Sequence, residues 1–329
     1  MKRLLAVAVA MPALLRCAGP GEAPSWTNGL PADPSFFPVG VWLQDPAFAP
    51  KYRDLGINLC VGTRSLSRPE QLEPLREAGM RAILRADEVA DRFRGEPHVV
   101  GWMQEDEPDS AQLLGPCQGY GPPVPPAEVH RRYRRIRSDD PTRPVLLNLG
   151  PGAAWDDAPA RGPRRGHPED YAEYAGGGDI LSFNFSPVNR EEPEVSGRLE
   201  FMARGVDRLR SASGGRKPVW AFIETTPLRD GTRRPSPRAV RAEVWMSLLH
   251  GARGIVYSAH RFRPRFEEAA LLADEAMARA VAEINRQIHE LAPVLNAPPI
   301  CGGLSVSSPV PVDAVAKRHG GAPMSWLPR

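Results

Sequence analysis

Two glutamates of this sequence follow short apolar runs. Glu107 lies four positions after the run Val99–Met103, and Glu224 comes directly after the run Pro218–Ile223. A carboxylate at the end of an apolar run is costly to bury without a partner or a function. Two carboxyl groups at one site can divide acid–base and nucleophilic chemistry, with one holding a proton while the other stays ionised. Glu107 and Glu224 are therefore the first candidates for catalysis.

Apolar runs of this kind alternate with amphipathic segments along most of the chain. Such alternation is typical of repeated βα units around a parallel sheet, and nearly continuous apolar runs are expected where both faces of a strand are covered. The predicted strands are Pro38–Leu43, Ile57–Val61, Arg81–Leu84, Val99–Met103, Pro144–Asn148, Asp179–Phe183, Pro218–Ile223 and Gly254–Tyr257. Helical spacing of apolar residues predicts helices between Pro237 and Gly251 and along the stripe from Met277 to Leu291.

Eight such units predict an α/β fold, a closed (β/α)8 (TIM) barrel with a short β-rich C-terminal extension. The rival fold is a doubly wound open sheet. It is disfavoured because Gln44-Asp45-Pro46 follows the first strand, where that fold has a glycine-rich turn. Side chains at the carboxyl ends of barrel strands form the active site, so Glu107 and Glu224 are expected to face each other across the barrel mouth.

The ends of the chain differ from the barrel in composition. We predict a leader over residues 1–24, the barrel over residues 25–297, and a short β extension over residues 298–329 that is cut short or completed elsewhere. Lys2-Arg3 before the apolar run Leu4–Leu15 is typical of a secretory signal, and this run is too short to span a bilayer. Cys17 leaves open a lipoprotein leader, although Arg16 stands where a small residue is usual. An exported protein is expected, periplasmic, extracellular or lipid-anchored, with no integral membrane segment after leader removal.

Charge and cysteine usage narrow the functional classes. The 42 Lys and Arg against 39 Asp and Glu give a net charge of +3, which lacks the basic excess of a nucleic-acid-binding protein. Four cysteines are too few for a disulfide framework in a chain of this length, and none shows CxxC or His/Cys ligand spacing, so a zinc site is not predicted either.

The order of the units and two motifs resemble the retaining glycoside hydrolases of the (β/α)8 clan that includes families 5, 39 and 42. That clan has its acid/base glutamate in an Asn-Glu-Pro-like motif after strand four and its nucleophile at the end of strand seven. Asp106-Glu107-Pro108 matches the first motif and Ile223-Glu224 the second. The resemblance implies a retaining glycosidase without a cofactor, acting on a β-linked oligo- or polysaccharide. Glu107 would be the acid/base and Glu224 the nucleophile, with their carboxyl groups about 5–5.5 Å apart.

Asp106 departs from the clan, which usually has an asparagine there that donates a hydrogen bond to the sugar. An ionised aspartate can only accept. Two other readings therefore stay open. One is a carbohydrate-binding barrel without catalysis, and the other is a metal-dependent barrel hydrolase. In a metal-dependent hydrolase, a divalent cation would be bound by the carboxylate oxygens of Glu105, Asp106, Glu107 and Asp109.

A sugar site needs flat apolar faces surrounded by hydrogen-bonding groups. Residues of these types occur at or near the predicted strand ends. The predicted substrate-binding residues are Trp42, Asp106, Asn148, Asn184, Tyr257 and His260. The basic loop of residues 161–167 follows the fifth strand and is either solvated or able to hold an anionic sugar through its arginines.

Overall fold

The computed structural model describes residues 26–63, 66–115, 118–228 and 233–297, together with the backbone of residues 316–319 and 322–325. Eight parallel strands form a closed barrel in which each strand pairs with the next and the first pairs with the eighth. The strands are β1 (Val39–Trp42), β2 (Leu59–Val61), β3 (Arg81–Arg85), β4 (Val99–Met103), β5 (Val145–Leu149), β6 (Ile180–Asn184), β7 (Val219–Glu224) and β8 (Gly254–Ser258).

Helices follow every strand and surround the barrel. They are α1 (Ala49–Asp54), α2 (Glu73–Glu77), α3 (Ala86–Phe93), α4 (Pro126–Asp139), α5 (Asp170–Tyr174), α6 (Glu200–Ala212), α7 (Pro237–Leu249), α8 (Ala270–Ala273) and α9 (Glu275–Leu295). Beyond them, β9 (Ala316–His319) and β10 (Ala322–Ser325) pair as an antiparallel hairpin. The prediction of a (β/α)8 barrel is confirmed.

Each predicted strand coincides with an observed one to within two residues at either end. Prolines explain several of the shifts. Pro38, Pro144 and Pro218 lie just before β1, β5 and β7, because a proline has no N–H to donate to a strand ladder. Their carbonyl groups still accept from the neighbouring strand, as in the 2.9 Å bond from the Trp102 N–H to Pro144.

Two apolar layers position the strand ends. One fills the barrel and includes Trp220 and Phe222 of β7, while the other lies between strands and helices and includes Ala221 and Ile223 of the same strand. Side chains along a strand alternate between the two layers, as the pleat requires. Trp220 and Phe222 therefore fill the barrel below the mouth.

The helix ends follow local sequence signals. The Ser236 hydroxyl accepts from the Ala239 N–H at 3.2 Å and caps α7, with Pro237 at the first helical position. Gly251 follows α7 with φ of +97°, a conformation that other residues adopt at a cost. α9 continues through Pro293 to Leu295, so its last turn includes the proline.

Several sequence predictions fall outside the described residues. These are the leader, the lipoprotein cysteine, and most of the predicted β extension, including residues 298–315. Cys60 is described, and its thiol is buried and unpaired with another cysteine. Within the described ranges, no helix has both the length and the apolar character to cross a bilayer.

Candidate active site

Glu107 lies just beyond the carboxyl end of β4 in a strained backbone conformation. Its φ is +45°, which a non-glycine residue adopts at a cost of order 1–3 kcal/mol. The strain is held by two backbone hydrogen bonds, from the Glu107 N–H to the Asn148 carbonyl at 3.1 Å and from the Ser110 N–H to the Glu107 carbonyl at 3.0 Å. Such conformations cluster at active sites, where surrounding structure holds a side chain in a required direction.

Glu107 is a partly exposed residue whose carboxyl group has two side-chain donors. Asn184 Nδ2, at the end of β6, donates to Oε1 at 2.9 Å, and Ser110 Oγ donates to Oε2 at 3.2 Å. Burial, followed by the charges of Asp106 and Asp109, raises the pKa of Glu107 to about 7. A carboxyl group with this pKa holds a proton near neutrality and can give it up, which is the requirement for a general acid.

Asp106 belongs to a chain of polar groups across three strands. Asn148 Nδ2 donates to Asp106 Oδ1 at 2.8 Å, and Asn148 Oδ1 accepts from the Ser182 hydroxyl at 2.8 Å. Burial raises the pKa of Asp106, while the Asn148 bond and the charge of Arg85 oppose the shift. Asn148 therefore orients Asp106 beside Glu107, and one amide N–H is left for another acceptor.

The other two acidic residues of this segment point elsewhere. Glu105 forms an ion pair with Arg132 of α4, on the helix side of the barrel. Asp109 is fully buried and accepts from the Tyr171 hydroxyl at 2.6 Å and the Gly150 N–H at 2.7 Å. In the described part of the chain, no group of three or more His, Cys, Asp or Glu side chains is arranged to hold a metal ion.

Glu224 ends β7 with only 1% of its surface exposed. The connection between β6 and α6 covers its carboxylate: the Val188 N–H donates to Oε1 at 2.6 Å and the Asn189 N–H to Oε2 at 3.0 Å, and the Asn189 side-chain amide also donates to Oε2. Burial raises the pKa of Glu224 to about 7 against these donors, which lower it. Glu224 is thus a carboxylate held in a ring of N–H groups.

β6 and the connection after it contact both glutamates. Asn184 at the end of β6 bonds Glu107, and residues 188–189, a few positions later, bond Glu224. Both glutamates follow strands at the same end of the barrel, as the sequence predicts. Their hydrogen bonds go to separate partners, so the spacing required for retention stays a prediction.

Two further residues predicted to bind substrate, Trp42 and Tyr257, lie in different places, one at the barrel mouth and one in the core. Trp42 is partly exposed at the end of β1, with its ring edge-on to Phe222 at 5.3 Å between centroids. Tyr257, predicted to contact substrate, is instead fully buried, and its hydroxyl donates to Asn285 of α9 at 2.8 Å. Its side chain therefore lies on the helix side of β8, away from the mouth.

His260 follows β8 and belongs to an aromatic group that the sequence analysis missed. Its ring stacks on Phe262 and Phe266, with centroids 5.9 and 5.8 Å away, and its Nε2 lies 3.1 Å from the Leu43 carbonyl. Phe262 is 54% exposed and Phe266 46% exposed. The signal was present in the sequence, because two phenylalanines follow a strand end in an otherwise charged loop.

The basic loop after β5 has a structural role. Arg161 is 1% exposed and donates to Asp170 at 2.8 Å and to the His167 carbonyl at 2.8 Å. Arg164 pairs with the same aspartate. The expectation of a solvated loop is wrong for Arg161, because this guanidinium holds the connection against α5.

A cavity of about 530 Å³ lies outside the barrel, between α3 and α4. Trp102, Glu105 and Arg132 contribute to its wall, and neither Glu107 nor Glu224 does. A large cleft is a usual mark of a ligand site. Here the strained, pKa-shifted carboxyl group at the strand ends is the stronger indication of chemistry, because carboxyl ends of barrel strands supply the reactive groups.

Known structures share this architecture, whereas no protein-family model and no curated protein matches the chain. The endo-β-1,4-mannanase from Thermotoga petrophila aligns over 80% of this chain and 78% of its own, with 12% identity and a TM-score of 0.55. A GH5_18 protein from Streptomyces cattleya, solved with GlcNAc, aligns over 76% and 80%, with 16% identity and a TM-score of 0.53. A GH5_18 protein from Bifidobacterium longum subsp. infantis aligns over 76% and 79%, with 12% identity and a TM-score of 0.53. At these identities the similarity establishes the (β/α)8 fold.

Proposed function

We propose that this protein is a retaining glycosidase that cleaves a β-linked oligo- or polysaccharide, with Glu107 as acid/base and Glu224 as nucleophile. The observation that carries the proposal is Glu107: a partly exposed residue with a strained backbone just beyond the end of β4, whose carboxyl group has a pKa of about 7. The similarity in fold to mannan-cleaving and other glycoside hydrolases supports the same class of reaction.

The reaction divides into two displacements. Glu107 gives its proton to the glycosidic oxygen as the bond to the anomeric carbon breaks, and a Glu224 oxygen bonds to that carbon. Glu107, now ionised, then takes a proton from water, and the water oxygen displaces Glu224. The N–H groups of Val188 and Asn189 stabilise the ionised Glu224 carboxylate in the free protein. Access to Glu224 requires the 188–189 segment to move aside when substrate binds.

Turnover of a panel of aryl β-glycosides tests the proposal. Glu107→Ala and Glu224→Ala are each expected to lower kcat by a factor of about 10² or more, because each removes a group needed in the transition state. Azide is expected to restore part of the lost turnover in either variant by replacing the missing carboxylate. Glu105→Ala is the matched control, since Glu105 is close to Glu107 in sequence but pairs with Arg132. Full activity in both active-site variants would refute the assignment.

The covered carboxylate of Glu224 favours a second candidate, a carbohydrate-binding barrel without catalysis. A nucleophile must reach the anomeric carbon, and Glu224 is 1% exposed. A 2-fluoro glycosyl reagent with a good leaving group separates the two candidates. Covalent labelling of Glu224, located by mass spectrometry, supports the glycosidase. Calorimetric binding of a glycan by a protein that the reagent leaves unmodified supports the binding function.

A further inference from the structure

Glu243 is a fully buried acidic residue of α7 that the reaction above does not use. It lies at 0% exposure on the helix face that also carries Val240, Val244 and Ser247, all turned towards the barrel. An isolated carboxylate in such a layer is very unfavourable unless it is paired or neutral. Among the described residues, the one N–H group that acts on the Glu243 carboxyl group is the backbone N–H of Glu224, and it lies outside good hydrogen-bonding geometry. As an ionised group, Glu243 would be without the hydrogen bonds that a buried charge requires.

The carboxyl group of Glu224 lies next to Glu243. Burial raises the pKa of Glu243 well above its usual range, and the neighbouring charge of Glu224 raises it further. Two adjacent carboxylates in an apolar layer cannot both ionise near neutrality. At least one proton must therefore be bound by this pair.

Hydrogen bonding decides which residue holds the proton. Glu224 accepts from two backbone N–H groups and one side-chain amide, all of which favour its charged form. Glu243 has no comparable set of donors. The negative charge is thus best placed on Glu224 and the proton on Glu243, whose O–H can then donate to its neighbour.

Other charged groups around α7 are engaged elsewhere. α7 packs against α6, α9 and β7. On the α9 side, Arg241 donates to Gln287, and on the α6 side Asp207 bonds His250. Glu224 is the titratable group that acts on Glu243 in the described part of the molecule.

We propose that Glu243 is a positioning residue that carries a proton and donates it in a hydrogen bond to Glu224, so that at neutral and alkaline pH the pair holds one negative charge, on Glu224. The folded protein contains this shared proton whether or not it is an enzyme. Its role in catalysis rests on the proposed function: the bond from behind orients the Glu224 carboxylate and keeps it ionised for attack.

Stability measured against pH tests the pair without any substrate. Glu243→Gln keeps the shape and an N–H donor but cannot ionise, so it mimics the protonated residue. In the wild type, Glu243 stays protonated when folded but ionises when unfolded above its ordinary pKa of about 4.5. The folded state therefore loses stability relative to Glu243→Gln as pH rises, by up to about tenfold in the unfolding equilibrium constant per pH unit.

The measurement is urea denaturation of both proteins at several pH values between 5 and 8.5. We expect the variant to gain stability relative to the wild type as pH rises, with the smallest gain at pH 5. Glu77→Gln, an exposed glutamate on α2, is the control and should show a pH-independent difference. A pH-independent difference for Glu243→Gln would overturn the proposal. Failure of this variant to fold would also overturn it, because a neutral donor of the same shape would then be insufficient.

Glycosidase assays separate this proposal from the proposed function. If the wild type turns over a glycoside, Glu243→Gln should keep kcat/KM near neutrality, whereas Glu243→Leu, which cannot donate, should lose at least tenfold in kcat with a smaller change in KM. Absence of turnover by the wild type would refute the glycosidase and leave the stability result to decide the pair. Activity in the wild type together with unchanged kcat in Glu243→Leu would refute only the positioning role.

Discussion

The pKa of the Glu107 carboxyl group is raised by some neighbours and lowered by others. Burial and the charges of Asp106 and Asp109 raise its pKa, whereas the donors Asn184 and Ser110 lower it, and the balance lies at about 7. The proposed mechanism needs the protonated form for the first step. Activity is therefore expected to fall as pH rises through this value.

The pH at which activity falls should depend on the Ser110 hydroxyl. It stabilises the ionised form of Glu107 from 3.2 Å, so Ser110→Ala is expected to raise the pKa and shift the alkaline limb of the kcat/KM profile upward. A weak hydrogen bond of about 0.7 kcal/mol corresponds to roughly half a pH unit. Ser211→Ala, on the exposed surface of α6, should leave the profile unchanged. A downward shift would contradict this account of Glu107.

Site residues could be predicted from the sequence where they closely follow an apolar run, since such a run predicts a strand and the residues after it then lie at the strand's carboxyl end. Glu107, Asn184 and Glu224 follow apolar runs, and the fold then brings them to one end of the barrel. Tyr257 and Glu243 were not predictable in this way. Both faces of a barrel strand are apolar, so the sequence does not show which face Tyr257 occupies. The contact of Glu243 with Glu224 depends on the rotation of α7 about its axis, and the apolar stripe of this helix does not show that an acidic residue lies on its buried face.

The connection after β5 approaches the site through its backbone. A side chain on Gly150 would bring its Cβ to 3.0 Å from Glu107 Oε2 and closer still to the Ser110 hydroxyl. Gly150→Ala is thus expected to displace Ser110 and Glu107 and to lower kcat by about tenfold or more, because small misplacements of catalytic groups are costly. The far-ultraviolet circular dichroism should stay that of the wild type. The matched control is Gly166→Ala, whose Cβ meets open space; it has a positive φ, so it reports backbone strain in the same connection without crowding Glu107.

The connection after β8 presents an aromatic surface at the barrel mouth. Phe262 and Phe266 are exposed while His260 anchors them to the end of β1. Exposed flat rings of this kind suit the apolar faces of pyranose sugars. Phe262→Ala and Phe266→Ala should each raise KM for an oligosaccharide several-fold while the unfolding free energy changes little. Phe36→Ala, at the opposite end of the barrel, is expected to leave KM unchanged; equal effects at the two ends would argue against a sugar platform.

The order of elements was the most predictable property of the chain. Eight apolar runs separated by helical stripes determine a (β/α)8 barrel, because each strand and its helix form one repeating unit. The connections were the least predictable. Residues 188–189 cover Glu224 and Arg161 is buried beside Asp170, yet both segments look like ordinary polar loops in sequence. Their roles depend on tertiary contacts that no local pattern encodes.

At the scale of the whole molecule, some buried carboxyl groups have a raised pKa and others a lowered pKa. Together these shifts set the pH at which the folded protein is most stable. Burial raises the pKa of Glu107 and Glu224 to about 7, so the folded state binds more protons than the unfolded state above pH of about 4.5. Each such group then lowers the unfolding free energy by up to about 1.4 kcal/mol per pH unit until its folded pKa is passed. Asp140 has the opposite effect: hydrogen bonds from Thr142 and Trp102 hold its pKa at about 2 against burial, so its stabilisation is lost as pH falls from 4 towards 2.

The expected result is a stability maximum on the acidic side of neutrality, near pH 4 to 5. Urea denaturation of the wild type from pH 3 to pH 9 measures it directly. Glu107→Gln should flatten the decline between pH 5 and pH 7, because its amide replaces the protonated carboxyl group that the folded state prefers. An unfolding free energy that instead rises steadily from pH 5 to pH 8 would show that Glu107 and Glu224 are ionised at little cost in the folded protein, and Glu107 would then hold no proton for transfer at neutral pH.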